Sequence, residues 1–263
     1  MASSLIGGLI TDGWDPGSIH VADSNEQQLQ RLAARFPIHT SNSNRTAADA
    51  ADVVIFAVKP QIMADVVRDI ADCIATQDKL VVSIAAGITE TTLRSWLSDT
   101  TAIVRCMPNT PALVQSGVTG MFANTRVTQE QRSVAESILR AVGIVVWVDD
   151  EATMDAITAL SGSGPAYIFL FIEALQAAGQ QLGFSQETAY LLALQTAFGA
   201  TKMALESEED AATLRQRVTS PGGTTERAIN TFQQGGLMEL VNKALHAAAE
   251  RSRELAREFG SKQ

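Results

Sequence analysis

At 263 residues, with 46% hydrophobic and 19% charged side chains, the chain has room for one large or two ordinary well-packed domains. A net charge of −9 and a sequence pI near 4.9 argue against a nucleic-acid-binding surface. Cys73 and Cys106 form no CxxC and read as reduced thiols, and His20, His39 and His246 lie far apart without a second ligand at metal spacing.

Met1 to Thr11 reads as a helix, with Leu5, Leu9 and Ile10 on one face, Gly7 and Gly8 allowing close approach, and Gly13 just past its end. The opening Met1 to Gly8 lacks the basic n-region and long apolar core of a signal peptide. Ile19-His20-Val21-Ala22 is a short strand signal, and Leu29, Leu32, Ala33 and Phe36 then recur at helical spacing. Val53 to Val58 is a continuous, β-branched apolar run, the pattern of a buried parallel strand. Pro60 suits the first position of a helix that carries Met63, Val66, Val67 and Ile70 on one face. Leu80 to Ile84 is a second buried strand, followed by Ala85-Ala86-Gly87 and a helix near Thr89 to Leu97. Ala102 to Met107 is the next strand, and a helix from about Gln129 to Val142 leads to a last strand, Ile144 to Val148. Repeated βα units of this length predict a parallel, doubly wound sheet: an α/β, Rossmann-like dinucleotide-binding domain over residues 1–150.

After Asp149-Asp150-Glu151 the period becomes helical throughout, over about 151–160, 165–182, 186–205, 209–217, 223–234 and 237–259. An all-α domain for substrate binding and dimerisation is expected over 151–263. Its most apolar stretch, Tyr167 to Ile172, is too short to span a membrane and ends at Glu173, so the chain is read as cytoplasmic. The helix from Pro165 is apolar nearly all round, which favours a homodimer or a higher assembly of dimers.

A doubly wound sheet opens with a strand and a glycine-rich turn, whereas this chain opens with a helix. Ala2 fits the last slot of a G-x-G-x-x-G/A fingerprint, and Asp23 ends a strand 21 residues later, where a ribose-binding carboxylate belongs. The expectation is that Met1 is an internal methionine and that the sheet's first strand precedes it. Without that strand two strand edges stay unpaired.

Two segments carry glycines and hydroxyls immediately before an apolar helical run: Ser161-Gly162-Ser163-Gly164-Pro165-Ala166-Tyr167 and Thr219-Ser220-Pro221-Gly222-Gly223-Thr224-Thr225. Glycines expose backbone N–H groups, and a helix N-terminus aims its orphan donors the same way, which suits a small carboxylate. The first segment also reads as a helix stop with an N-cap and Pro165 at the first helical position.

These two segments, with Ala57-Val58-Lys59-Pro60, Ser83-Ile84-Ala85-Ala86-Gly87 and Arg105-Cys106-Met107-Pro108-Asn109-Thr110-Pro111, resemble pyrroline-5-carboxylate reductase, in order and over nearly the whole chain. The resemblance implies a Rossmann domain, a dimerising helical domain, and NAD(P)H-dependent reduction of a cyclic imine to L-proline. It implies that Ala57, Val58, Lys59 and Pro60 border the cofactor and that Ser24 and Asn44 approach the adenosine ribose or its phosphate. Ala85 and Ala86 would line the path to the nicotinamide, with Asn109 and Thr110 near its ring. Glu151 and Ser163 would lie by the substrate, and Ser220, Gly222, Gly223, Thr224 and Thr225 would hold it, with Thr225 beside the ring nitrogen as the catalytic hydroxyl. NADPH is the implied cofactor, with NADH open: Asp23 favours ribose hydroxyls, while Ser24, Asn25, Asn44 and Arg45 could receive a 2′-phosphate. Two other readings stand beside this one. A β-hydroxyacid dehydrogenase should carry a catalytic Lys on the helical domain's first long helix, yet after Lys79 the next Lys is Lys202. A non-catalytic dimer with a crippled nucleotide domain is the second.

Overall fold

The computed structural model describes residues 1–260, so the last three residues of the expected helical domain lie outside it. The chain divides into two compact units, one of residues 1–163 and 247–263 and the other of residues 164–246. This division falls after Ser163 rather than at residue 150, and it returns the end of the last helix to the first unit.

The first unit opens with α1 (Ala2–Thr11), which buries Leu5, Ile6 and Leu9. A Cβ on Gly8 would stand 2.5 Å from the Ala141 carbonyl oxygen, so the approach of this helix depends on glycine. β1 (His20–Ala22), α2 (Glu26–Arg35), β2 (His39–Ser41) and α3 (Asn44–Asp49) follow. Asn25 caps α2 by accepting from the Gln27 and Gln28 N–H groups. β3 (Val53–Phe56) leads through Lys59 into α4 (Pro60–Asp69), with Pro60 at the first helical position where its missing N–H costs nothing. α5 (Ala71–Thr76), β4 (Leu80–Ser83), α6 (Glu90–Trp96), β5 (Ile103–Met107), β6 (Gly117–Ala123), α7 (Gln129–Arg140) and β7 (Gly143–Trp147) complete the alternation.

The strands form two sheets. β1 and β2 pair in parallel, and a second sheet runs in the order β3-β4-β5-β6-β7. Its pairs are parallel except β5 with β6, where Val104 faces Ala123 in an antiparallel ladder. The expected all-parallel sheet is thus corrected at its last two strands, β6 and β7, which run opposite to β3, β4 and β5. β4 is buried at every residue, whereas β3 is only half-buried over Val53 to Ile55 and has β4 as its one ladder partner among the described residues. Leu80, Val82, Val104, Met121, Ile138 and Leu139 fill one core cluster, and Met63, Val67, Ile74, Val81, Ile88 and Leu93 fill another. His20 and His39, distant in sequence, are neighbours on β1 and β2, their rings stacked with centroids 4.6 Å apart.

α8 (Thr153–Ile157) continues into a π-helical turn, Thr158–Gly162, which ends the first unit's main run. Ser163 keeps helical dihedrals and its N–H reaches the Thr158 carbonyl at 2.8 Å. The expected helix stop is therefore a wide helical turn, a feature frequent at functional sites. The second unit holds α9 (Gly164–Gln181), α10 (Gln186–Glu206), α11 (Ala211–Arg217), α12 (Thr224–Gln234) and the start of α13 (Leu237–Gly260). α9 and α10 pack where a Cβ on Gly179 would sit 3.1 Å from the Ala189 Cβ. The remainder of α13 belongs to the first unit, where Ser252 donates to Asp155 at 2.6 Å and Phe259 packs beside Gly87, itself at φ +75°.

Candidate functional site

β3, β4 and β5 are mutually parallel, so their carboxyl ends open on one edge, where α/β sheets bind ligands. Ala57, Val58 and Lys59 connect β3 to Pro60 at the start of α4. Lys59 is exposed and its ammonium makes no ion pair among the described residues. Ala85 and Ala86 follow β4, and Ala85 is buried with its N–H 3.4 Å from the Ser83 hydroxyl. Ser24 is exposed just past β1, in the loop where Asp23 accepts the Asn25 N–H at 2.8 Å. Asn44 begins α3, with its amide 3.4 Å from Asp69. Arg45 grips Asp72 through both guanidinium nitrogens, at 3.0 and 2.8 Å, and this bond holds the Asp72 carboxyl below its ordinary pKa. A phosphate there would compete with Asp72 for Arg45.

Past β5 the chain reaches Asn109, which is buried, and Thr110, which is exposed. The Asn109 amide is spent on the protein itself: it donates to the Ser161 carbonyl at 3.1 Å and accepts the Val118 N–H at 2.9 Å. It thereby ties the loop to β6 and to the π turn. Gly162 of that turn lies against Met107, whose Cε would be 2.6 Å from an added Cβ.

Glu151 is engaged in the same way. Its Oε1 accepts from the Arg105 guanidinium at 2.8 Å and from the Glu90 backbone N–H at 2.7 Å. Arg105 stands in mid-strand on β5 and is only 5% exposed. The Glu90 carboxylate accepts from Asn124, which also donates to the Thr101 carbonyl and accepts from the Ile103 and Arg126 N–H groups. Arg105, Glu90 and Asn124 were not singled out from sequence. The signal available was one charged side chain inside an otherwise apolar strand, which requires a buried partner. Cys106, next to Arg105, is fully enclosed, and burial pushes its thiol far above the ordinary range.

In the helical unit, Ser220 to Thr225 form the turn into α12, with Gly222 at φ +71°, a conformation that favours glycine. The Gly222 N–H donates to the Glu226 carboxylate at 2.8 Å, and the Gly223 N–H to the Ser220 carbonyl at 3.0 Å. Among the described residues the amides of Thr224, Thr225 and Glu226 have no acceptor, so the donors open to an anion lie one step further along than Gly222 and Gly223. Ser220, Thr224 and Thr225 are exposed. A polar cleft of about 310 Å³ lies on the face of α12 formed by Gly222, Gly223, Glu226, Arg227, Asn230 and Thr231, and Thr225 does not line it. No group of three or more metal-binding side chains occurs among the described residues.

Comparison with known proteins adds to this geometry. Residues 151–255 match the family model described as pyrroline-5-carboxylate reductase dimerisation, and residues 1–87 match that of NADP oxidoreductase, coenzyme F420-dependent. The pyrroline-5-carboxylate reductase of Pseudomonas aeruginosa is 50% identical over 260 residues, covering 99% of this chain and 95% of that protein. The solved structure of a pyrroline-5-carboxylate reductase from Coxiella burnetii superposes with a TM-score of 0.94 at 48% identity, covering 97% of this chain and 94% of that one. The Plasmodium falciparum pyrroline carboxylate reductase, solved with NADP bound, superposes with a TM-score of 0.85 at 29% identity, covering 97% and 94%. With two folding units of the matching kinds and identity sustained along its length, the chain belongs to the pyrroline-5-carboxylate reductase family.

Proposed function

We propose that this chain reduces 1-pyrroline-5-carboxylate to L-proline with NADPH, and that NADH serves as a second donor. The observation that carries the reading is the turn into α12, with three unpaired amides beside the Thr225 hydroxyl, in a chain of this family. The residues present fit a nicotinamide dinucleotide: three parallel strand ends, small side chains at Ala85 and Ala86, and an uncommitted Lys59 ammonium for phosphate. When bound, the cofactor supplies a hydride from nicotinamide C4 to the imine carbon.

The protein's part is binding and orientation. The Thr224, Thr225 and Glu226 amides hold the substrate carboxylate, aided by the positive end of α12. Gly222 and Gly223 shape the turn and leave it unobstructed. The Thr225 hydroxyl bonds the ring nitrogen and orients the imine. A protonated imine is already electrophilic, so the site needs no strong general acid.

The exposed apolar side chains of α9 and α10 are assigned to a second copy of the chain, as a homodimer, with further association of dimers left to the same apolar surface. Two free thiols, Cys73 and Cys106, suit a reducing compartment and support a cytoplasmic location. Oxidation of NADPH and of NADH, followed with 1-pyrroline-5-carboxylate, tests the reading directly. Thr225→Ala should lower turnover roughly 10- to 100-fold while NADPH affinity holds. Unchanged turnover removes Thr225 from the reaction.

A further inference from the structure

We infer that Glu151, through its bond to Arg105, is a positioning residue: it sets the spacing between the loop that follows β4 and the loop that follows β5. The inference rests on the reductase reading above and concerns how that reaction is kept in register.

Three covalently distant segments meet at one carboxylate oxygen. Arg105 belongs to β5, two residues before the strand's last residue, Met107. Glu90 is the first residue of α6, and its N–H belongs to the end of the loop that carries Ala85, Ala86 and Gly87. Glu151 precedes α8. Glu151 Oε1 accepts from Arg105 at 2.8 Å and from Glu90 N at 2.7 Å. With Arg105 buried and Glu151 only 22% exposed at its side chain, the pair is shielded from solvent and its geometry is narrow.

The rest of the network removes slack. Asn124 binds the Glu90 carboxylate at 3.0 Å and accepts the Ile103 N–H at 3.2 Å, fixing α6 to the start of β5. Asn109 holds the loop after β5 against Ser161, ten residues beyond Glu151. Segment 151–161 therefore grips both loops, one through Glu151 and one through Asn109. Gly87, in the first loop, also lies against Phe259 and Leu255. A nicotinamide ring held by Ala85, Ala86 and Thr110 depends on the distance between these loops, and hydride transfer is steep in that distance.

The test uses the full chain with both Glu151 and Arg105 changed to Met, so that no buried charge is left behind. The double variant should stay folded and dimeric, lose kcat by roughly 10- to 100-fold, and keep its KM for 1-pyrroline-5-carboxylate. Amides of residues 85–90 should exchange hydrogen roughly tenfold faster, while those of residues 224–226 do not change. Glu151→Gln, which can still accept both bonds, should recover most of kcat. Unchanged kcat and exchange would overturn the inference. A raised KM for the imine acid at constant kcat would overturn it too, making Glu151 a substrate ligand. Failure of the unmutated chain to reduce the imine acid would instead sink the reductase reading, and the positioning role with it.

Discussion

Asn109 shows how a residue can lie in a site's motif and still spend its polar atoms on the frame. Its amide satisfies the Val118 N–H and the Ser161 carbonyl, and it is buried. Asn109→Ala leaves both partners without a bond, and an unsatisfied buried group costs about 1–3 kcal/mol. The expected loss is about 2 kcal/mol, read as a lower urea midpoint at constant slope. A loss nearer zero would mean that water replaces the amide. Glu136 offers a pH-dependent counterpart. The Trp147 indole N–H, at 2.7 Å, and Arg140 hold its carboxyl below the ordinary value. Its contribution is therefore present above the unfolded carboxylate's pKa and is lost as pH falls through the lower folded value. Glu136→Gln should lower Tm at neutral pH and flatten the acid side of a Tm-against-pH curve below about pH 4.5, where variant and parent converge. A parallel shift at all pH values would show that the bond acts without its charge.

At the scale of elements, β6 and β7 depend on one glycine. Gly143 opens β7 at φ +151°, and a Cβ there would stand 2.0 Å from the Gly117 carbonyl oxygen on β6. Because the obstacle is backbone, no rotamer change relieves it, and Gly143→Ala should cost more than about 3 kcal/mol. Loss of amide protection should begin in β6 and β7 and spare β3. The same region marks where sequence patterning ran out. β4, β5 and α4 are continuous apolar or amphipathic runs with clear ends, and they fall within a residue or two of the pattern. β6, with Gly117 and Gly120 in its span, is absent from the expected strands, yet Gly120 serves the close approach of Ile157, 2.5 Å from an added Cβ. β2 and α5 are three and six residues long, too short to show a period. At the site, the hydroxyl and glycine turns were legible because they are local. The clamp of Arg105, Glu151 and Glu90 was not, since its bonds join residues up to 61 apart.

For the whole molecule, the distribution of apolar surface is the deciding fact. Among the described residues the helical unit buries Ile172, Ala189 and Ala193, while Phe169 is 65% exposed, Leu191 62% and Phe198 58%. The helical run Thr153–Gln181 is long and apolar enough to cross a membrane by length and composition, although its most apolar stretch had looked too short. A dimerisation domain accounts for the same surface, because a unit this apolar gains its core from a second copy. Each large side chain removed from water at such a seam contributes about 1.5–3 kcal/mol, so the unit's stability should track protomer concentration. Replacing Phe169 and Leu191 by Asp puts charges into that seam, where desolvation penalises them heavily. The double variant should sediment as a monomer at micromolar concentration and lose helicity in the α9 to α12 region. Its strands should retain their amide protection, because the first unit has its own core. If the variant remains dimeric with full helicity, the α9 and α10 faces are not the seam, and its apolar surface must be sought on α12 and the start of α13, where Met238 and Leu240 are exposed.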